Sequence, residues 1–267
     1  MVLEADAIIV AAGAGMGVDS GLPDFRGNEG FWNAYPALAG DGIDFTQAAS
    51  AQGFARDGAR AWGFYGHRLA LYRRTVPHAG FGLLRKWASE KPHGCSIFTS
   101  NVDGQFQVAG FAADAVHECH GSIHHLQCTA PCSTAIWPAC ALVPQVDELR
   151  CRMLGALPAC PRCGALARPN ILMFDDWHWL EQRTAAQAAR QAAWLAAVRR
   201  PVVIELGAGL AIPTVRHFSR RAVELHGASL VRINLREPAV QRSSDVGLRM
   251  GALAALHAIE LTMQAGG

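Results

Sequence analysis

Residues 13–27 read GAGMGVDSGLPDFRG, a glycine-rich stretch that follows the short apolar run DAIIVAA (residues 6–12). The run has the composition of a buried β-strand, so the glycines fall where a strand would pass into a loop. Gly13, Ala14 and Gly15 have little or no side chain, and such backbone can approach a pyrophosphate and direct N–H groups at it. The pattern predicts a nucleotide-binding loop after the first strand.

The glycines alone are weak evidence for that function. The spacing G-x-G-x-x reaches Val18 instead of a third glycine, so the dinucleotide fingerprint is incomplete. The loop continues, however, into Asp24, Phe25 and Arg26, which place an acid, a ring and a cation on one short segment. A loop that only reverses the chain does not need all three, and we therefore interpret the whole segment as functional.

Strand-like runs alternate with helical patterns along the chain. The runs are residues 6–12, 96–100, 114–120, 201–207 and 229–235, and helical spacing is clear at 79–89 and 179–199. This alternation predicts an α/β fold with a parallel sheet covered on both faces. Ligands bind such sheets at the carboxyl ends of the strands, where the glycine loop and other polar or glycine-rich segments all fall. Residues 28–75 and 123–169 interrupt the alternation.

The second interruption holds most of the eight cysteines. Because no secretory signal segment is visible at the N-terminus, we expect thiols or a metal site rather than disulfides. Cys128-x3-Cys132 and Cys160-x2-Cys163 form two pairs, and four thiolates satisfy a tetrahedral zinc ion. The alternatives are that Cys140 or Cys151 replaces one ligand, or that the thiols are buried without a metal. Cys95 and Cys119 are expected in the core.

Composition and charge argue against nucleic-acid and membrane partners, and they leave the number of domains open. The net charge is +2, and no basic tract is interleaved with aromatic residues, so we expect no nucleic-acid partner. The N-terminal apolar run is too short to span a membrane and carries acids before it. We therefore expect a cytoplasmic protein with no membrane partner. We also expect the protein to be a monomer. With 51% hydrophobic residues, 267 residues can form one large domain with an insertion, or two domains.

Seven motifs together resemble the sirtuin family, the NAD-dependent protein lysine deacylases. They are similar to the family's glycine loop, TQNID segment, catalytic histidine-glycine, zinc module, RPxxVxFGE segment, GTS loop and INxEP segment. In this chain they are residues 13–27, TSNVDG (99–104), HGSI (120–123), the cysteines from Cys128 to Cys163, RPNILMF (168–174), ELGAGL (205–210) and INLREP (233–238). They stand in family order and span most of the chain.

The resemblance implies a large Rossmann-type NAD-binding domain and a small domain formed by two insertions. The large domain would comprise residues 1–30, 76–122 and 170–267. The small domain would comprise a helical module (31–75) and a zinc module (123–169). The cofactors implied are NAD and Zn²⁺, and the partners are acylated-lysine protein substrates. The products would be nicotinamide and O-acyl-ADP-ribose.

The resemblance also implies catalytic residues. Among the neighbouring histidines His117, His120, His124 and His125, only His120 stands in the histidine-glycine context, and it would be the general base that deprotonates a ribose hydroxyl. Asn101 and Asp103 would line the nicotinamide and ribose pocket, although both residue types are also common in plain turns. Ser100 replaces the family's glutamine, so one pocket hydrogen bond is in doubt.

The cofactor contacts follow in the same way. Phe25 would shield the reaction centre, and Arg26 would contact a phosphate or ribose. Ala208 and Gly209 stand where the family has Thr-Ser, so backbone donors survive and two hydroxyls are lost. Glu237, with Asn234, would take the adenosine ribose. The full implied set is Gly13, Ala14, Gly15, Asp24, Phe25, Arg26, Ser100, Asn101, Asp103, Gly207, Ala208, Gly209, Asn234 and Glu237.

Substrate choice depends on Tyr65-x-x-Arg68, an i, i+3 pair that shares a helix face. Its setting resembles the sirtuin subclass that removes succinyl, malonyl or glutaryl groups, because a guanidinium can hold the acyl carboxylate bidentately. The alternative is an ordinary amphipathic helix in a plain deacetylase. Asp175 stands where the family has glycine in a segment that pairs with the substrate backbone, so peptide binding is expected to differ.

Two other functions remain open at this point. One is an ADP-ribosyltransferase or NAD glycohydrolase on the same scaffold, which the altered Ser100, Gly209 and Asp175 permit and His120 disfavours. The other, from a different class, is a zinc-ribbon binding module with a vestigial nucleotide fold. The full set of polar residues expected at the carboxyl ends of the strands argues against it.

Overall fold

The computed structural model describes residues 1–24 and 27–266. The strands are, in chain order, β1 (Ala7–Ala12), β2 (Cys95–Thr99), β3 (Val116–Glu118), β4 (Gly121–Cys128), β5 (Trp137–Pro138), β6 (Val146–Asp147), β7 (Arg152–Met153), β8 (Ala167–Ile171), β9 (Pro201–Leu206), β10 (Ser229–Ile233) and β11 (Val246–Leu248). Each of the five predicted strand runs overlaps one of them. Phe25 and Arg26, both predicted cofactor contacts, lie outside the described residues.

The helices are, in chain order, α1 (Gly15–Val18), α2 (Gly27–Ala34), α3 (Pro36–Gly40), α4 (Phe45–Ala48), α5 (Ala51–Arg56), α6 (Gly58–Arg74), α7 (Ala79–Ser89), α8 (Gln105–Val108), α9 (Gln182–Ala197), α10 (Thr214–His226) and α11 (Ala252–Ala265). A short 3₁₀ turn, Ala113–Ala115, precedes β3. None of the helices in residues 1–24 and 27–266 combines the length and hydropathy that crossing a lipid bilayer requires.

The central element is a six-stranded parallel sheet with the order β11-β10-β9-β1-β2-β3. All six residues of β1 are buried, because helices cover both faces of the sheet. Ile8 and Val10 pack into one core with α7 and α11, whereas Ile9 and Ala11 pack into a second core with α10. Alternation of side chains along a strand thus serves two cores at once. The predicted α/β fold with a parallel sheet is confirmed.

A third core lies outside this sheet and is shared by the two sequence insertions. Helices α2 to α6 contribute most of its aromatic residues, including Phe31, Trp62 and Phe64. The second insertion contributes an antiparallel sheet of order β5-β4-β8 and the β6–β7 pair. The Trp62 indole donates to the Ala167 carbonyl at 2.8 Å, which ties α6 to β8. The boundaries predicted at 122/123 and 169/170 fall inside β4 and β8, two strands that pair with each other.

Helix α6 packs closely against the backbone at the start of β7, and Gly63 is the point of contact. A Cβ added at Gly63 would overlap the Cys151 carbonyl group and would sit 2.5 Å from the Arg152 nitrogen. The obstructing atoms belong to the backbone, which cannot turn away as a flexible side chain could. Glycine at this position therefore determines how closely α6 packs on the second insertion.

We predict that Gly63→Ala destabilises the protein by about 1–3 kcal/mol or more, the cost of overpacking a filled interior. Gly82→Ala is the matched control, since Gly82 is also a helix glycine but nothing lies within 4 Å of its added Cβ. That control should stabilise the protein by about 0.4–1 kcal/mol through the unfolded state. Chemical denaturation of both variants measures the difference. Equal effects at the two positions would show that the α6–β7 contact is not tight.

Candidate active site

A cleft of about 810 Å³ opens at the carboxyl ends of the parallel strands. This volume lies within the range of about 300–1,000 Å³ that is typical of small-molecule sites. The predicted site residues that line it are Gly13, Ala14, Asp24, Tyr65, Arg68, Ser100, Asn101, Asp103, His120, Gly207, Ala208, Gly209 and Glu237. The parallel sheet and the helical insertion therefore place most of the predicted residues on one surface.

His120 follows β3 by two residues and is half-buried in the cleft wall. Its backbone carbonyl accepts a hydrogen bond from the Leu172 nitrogen at 3.0 Å. Within the described ranges, no protein group hydrogen-bonds to its imidazole ring. Burial lowers the pKa of His120 below its usual value of 6.5, so the ring is neutral near pH 7. A neutral imidazole facing a cleft can accept a proton from a bound molecule.

Asn101 and Asp103 follow β2 on the same wall. The Asn101 amide donates to the Gly13 carbonyl at 3.0 Å, which joins the loop after β2 to the loop after β1. Asp103 is 7% exposed, and its carboxylate accepts from the Gln105 nitrogen at 2.9 Å. Burial raises the pKa of Asp103 to about 6, although this hydrogen bond and the nearby Arg68 cation oppose the rise. The carboxylate is thus mainly ionised at neutral pH and can accept hydrogen bonds.

The glycines of the loops after β1 and β9 allow the two backbones to touch. A Cβ at Gly13 would lie 2.8 Å from the Gly207 oxygen, and one at Gly15 would lie 2.6 Å from the Gly207 Cα. Gly207 has a φ of +59°, a left-handed conformation that favours glycine. Gly15 is therefore behind the cleft wall, where it packs against Gly207. Its lack of a side chain serves loop packing in this structure.

Asn234 also lies behind the cleft wall. It was predicted to contact the adenosine ribose, and its position in the structure does not allow that contact. Its side chain is 2% exposed and its amide donates to the Ala208 carbonyl at 2.9 Å. The side-chain oxygen accepts from the Arg236 and Glu237 nitrogens, each at 3.0 Å. Asn234 thus fixes the chain that carries Glu237, and of the two predicted ribose contacts only Glu237 reaches the cleft.

Tyr65 and Arg68 both line the cleft from helix α6, as the i, i+3 spacing predicts. Tyr65 is 1% exposed and its ring stacks on Phe54, and burial raises the pKa of its hydroxyl to about 12. The Arg68 Nε donates to the Tyr72 hydroxyl at 2.9 Å. The guanidinium carbon of Arg68 lies 5.1 Å from the Phe64 ring centroid and 5.4 Å from that of Tyr72. Aromatic rings therefore surround a buried cation.

The four predicted zinc ligands meet in the second insertion. The Sγ atoms of Cys128, Cys132, Cys160 and Cys163 all lie within 4.8 Å of one another. The Cys128–Cys163 and Cys132–Cys160 sulfur pairs are each 3.7 Å apart. Sulfurs at 2.3 Å from a tetrahedral zinc would be separated by about 3.8 Å, so the cluster fits that metal. Cys140 and Cys151 are not part of the cluster, and the four thiolates would hold the ion.

Comparison with known proteins assigns the family. A profile of the Sir2 family matches residues 13–199 of this chain, which is more than half of it. The chain belongs to the Sir2 family. The NAD-dependent protein deacylase of Methylococcus capsulatus is 32% identical over 247 residues, which cover 92% of this chain and 88% of the relative. That of Pyrococcus furiosus is 29% identical over 246 residues, which cover 90% and 86%.

Solved structures share the fold of this Sir2-family chain. A Sir2 homologue in complex with NAD superposes with a TM-score of 0.74 at 21% identity, covering 99% of this chain and 92% of that one. A Sir2 homologue mutant with ADP-ribose superposes with a TM-score of 0.72 at 22% identity, covering 99% and 94%. The parallel sheet and both insertions are therefore arranged as in the Sir2 fold.

Asp175 departs from the Sir2-family glycine in a way that the structure makes visible. Its φ is +51°, a left-handed conformation that favours glycine but that this aspartate adopts. Aspartate tolerates this region better than most residues. The next residue, Asp176, forms a fully buried ion pair with Arg168 at 2.8 Å and accepts from the Met173 nitrogen at 3.3 Å. These contacts hold residues 172–174 at the cleft wall.

Tyr72 and Arg216 bear on this Sir2-family site and were not predicted from the sequence. Tyr72 lines the cleft and bonds Arg68, and its i+4 spacing from Arg68 on one helix was a usable signal. Arg216, in α10, contacts the loops after β9 and β10. No local pattern marks it, because its carbonyl and carboxylate partners lie on other elements, in β9 and in the loops after β9 and β10.

We predict that the Sir2-family chain binds about one zinc ion per molecule through the four clustered thiolates. Cys128→Ser should lower the zinc content and the melting temperature, because structural zinc contributes directly to folding. Cys140→Ser, at an exposed thiol outside the cluster, is the matched control and should change neither. Metal analysis and thermal unfolding test both variants. Unchanged zinc in Cys128→Ser would exclude Cys128 as a ligand.

Proposed function

We propose that this chain is an NAD-dependent protein lysine deacylase that releases nicotinamide and forms O-acyl-ADP-ribose. One observation carries the proposal: His120, Asn101 and Asp103 share a cleft with the glycine loops after β1 and β9 in a Sir2-family chain. Relatives that align over about nine-tenths of this chain bear the name NAD-dependent protein deacylase. The deacylase function follows from this agreement between geometry and family.

The residues present fit the dinucleotide. The loops after β1 and β9 lie close enough to form one glycine-lined floor, and Ala208 and Gly209 add backbone beside it. In the part of the chain that the structure describes, no protein group hydrogen-bonds to the Ala208 or Gly209 N–H. Such N–H groups suit phosphate oxygens. Glu237 supplies a carboxylate on the same wall, which is the group that binds ribose hydroxyls in Rossmann-type folds.

The chemistry assigned to the chain's own residues follows from their states near pH 7. When bound, NAD supplies the ribosyl carbon that accepts the acyl oxygen once nicotinamide has left. His120, neutral because it is partly buried, takes a proton from a ribose hydroxyl. Asn101 and the ionised Asp103 orient the nicotinamide and ribose. The segment at 172–174, fixed by Asp176, lies beside the acyl-lysine entrance.

We further propose that the acyl group preferred by this enzyme carries a carboxylate. Arg68 is 9% exposed, so its charge lies in a wall with little access to water. A buried cation is stabilised by a matching anion, and the forked guanidinium fits a carboxylate. The guanidinium of Arg68 lines the cleft, where the acyl carboxylate would meet it. Tyr65 adds a hydroxyl donor beside it.

The decisive experiment incubates the purified chain with NAD and matched peptides that differ only in the acyl group on lysine. Acetyl-, succinyl- and malonyl-lysine peptides are compared, and the appearance of deacylated peptide and nicotinamide is followed together. Equal amounts of both products support the deacylase. Nicotinamide released without deacylation would instead indicate an NAD glycohydrolase and would refute the proposal.

We predict that His120→Ala lowers kcat by ~10²-fold or more, the usual effect of losing a general base. The matched control is His93→Ala, since His93 is exposed and precedes β2 at the opposite end of the sheet. Its activity should equal that of the unmodified chain. Because the pKa of His120 is lowered, the acidic fall in activity assigned to it should lie below pH 6.5. Full activity of His120→Ala would remove the general-base assignment.

We predict that Arg68→Met lowers kcat/KM for desuccinylation by the equivalent of about 2–5 kcal/mol, as expected when one partner of a buried charge pair is removed. Deacetylation should stay level or improve, because an acetyl methyl makes no use of the guanidinium. Tyr65→Phe should act in the same direction with a smaller effect of about one hydrogen bond. Steady-state kinetics on both peptides provide the measurement.

The matched control for this prediction is Arg74→Met, which removes an exposed arginine from the last turn of the same helix. It should leave both reactions unchanged. Equal losses toward succinyl- and acetyl-lysine in Arg68→Met would mean that Arg68 only supports the helix. The chain would then be a general deacylase without an acidic acyl preference.

A further inference from the structure

Arg216 joins the two loops that carry the nucleotide end of the cleft. Its Nε and Nη2 donate to the Ala208 carbonyl at 3.0 and 2.9 Å, in the loop after β9. Its Nη2 also donates to the Glu237 carbonyl at 2.8 Å and lies 3.4 Å from the Glu237 carboxylate, in the loop after β10. One buried guanidinium therefore spans two segments that are about thirty residues apart.

Arg216 stands at a position that disfavours a cation, and its contacts with carbonyl and carboxylate groups must offset that cost. It is the third residue of α10, and the positive end of a helix dipole disfavours a cation in the first turn. It is also 9% exposed. Two carboxylates offset these costs, since Glu205 lies 3.8 Å from its Nε and Glu237 lies 3.4 Å from its Nη2. Such an arrangement fixes the Glu237 carboxylate as well as its backbone.

The loop after β9 needs such support because its side chains provide none. Ala208 and Gly209 have no hydroxyl that could hold the loop or contact a nucleotide. The Ala208 carbonyl instead accepts from Arg216 and from the Asn234 amide. With this carbonyl fixed from behind, the peptide N–H groups that follow it keep one orientation at the cleft wall.

We propose that Arg216 is a positioning residue for the dinucleotide, which rests on the proposed NAD-dependent function. It holds the Ala208–Gly209 backbone and the Glu237 carboxylate in the geometry that binds ADP-ribose, and it does not line the cleft itself. Arg216 thereby replaces, through the backbone, the support that side-chain hydroxyls of this loop would give. Its effect is specific to the nucleotide and does not extend to the acyl peptide.

The test compares Arg216→Gln, Arg216→Lys and the unmodified chain. Calorimetry measures ADP-ribose binding without any reaction, and steady-state assays measure KM for NAD and for the peptide. Arg216→Gln should fold, because Glu205 keeps its contacts with Arg232 at 2.5 and 3.2 Å. Arg216→Lys keeps the charge but loses the several N–H donors of the guanidinium. It tests the role of Arg216 in ADP-ribose binding if the glutamine variant does not fold. Arg220→Gln is the control, at an exposed arginine four residues further along α10.

We expect Arg216→Gln to raise the Kd for ADP-ribose and the KM for NAD about tenfold, the effect of losing a charge-assisted hydrogen bond. The lysine variant should be intermediate, and kcat, peptide KM and the control should be unchanged. A lower melting temperature with unchanged ADP-ribose affinity would make Arg216 purely structural and would overturn the inference. If the unmodified chain binds no ADP-ribose, both the inference about Arg216 and the proposed function fail. If the unmodified chain binds ADP-ribose and the Arg216 variants bind it with the same affinity, the proposed function stands and only the role inferred for Arg216 fails.

Discussion

The parallel pairing of β1 with β9 on one side and β2 on the other is the constraint on which the rest of the structure depends. Neighbouring strands lie about 4.8 Å apart, so chains leaving them in the same direction must pass each other in close contact. Gly13, Gly15 and Gly207 meet that requirement, since added Cβ atoms would collide with the facing backbone. The β1–β2 pairing brings the loop with Asn101 to this edge of the sheet, and the parallel pairing of β10 with β9 brings the loop with Glu237 there.

The cleft is built from charged groups that are kept away from water and therefore depend on their neighbours. Asp103 accepts from the Gln105 backbone, and the Gln105 side chain donates to the Tyr72 carbonyl at 3.2 Å. Tyr72 in turn bonds Arg68 through its hydroxyl. These contacts connect the wall next to the proposed general base with the wall proposed for the acyl group. Removal of one member would leave buried polar atoms unsatisfied.

Features with a local signal could be predicted. The strand runs were recognisable because β1, β2 and β9 are short, apolar and followed by glycine or polar residues, and α7 spans the predicted helical residues 79–89. Strand β11 was not, because its three residues include a glycine, are not buried and form no apolar run. Strands β4 and β8 were missed because their pairing joins segments that are far apart, and this pairing determines where the second insertion begins and ends. Among six candidate thiols, spacing alone selected the four whose sulfur atoms cluster.

The sequence by itself determined the family, the α/β sheet and the polar and glycine residues of the cleft wall to which the proposed chemistry is assigned, because the order of motifs and the residue types can be read without coordinates. It did not identify the apolar part of that wall, for example Phe45, Ala49 and Val215. It could not determine the direction of individual side chains. Asn234 and Gly15 belong to the predicted motifs, yet tertiary packing turns them away from the cleft and uses them to fix loops. Arg216 became visible only in three dimensions, since its partners are carbonyl and carboxylate groups brought together by β9 and β10. Long-range contacts of this kind leave no periodic trace along the chain, and for that physical reason only the tertiary structure decided them.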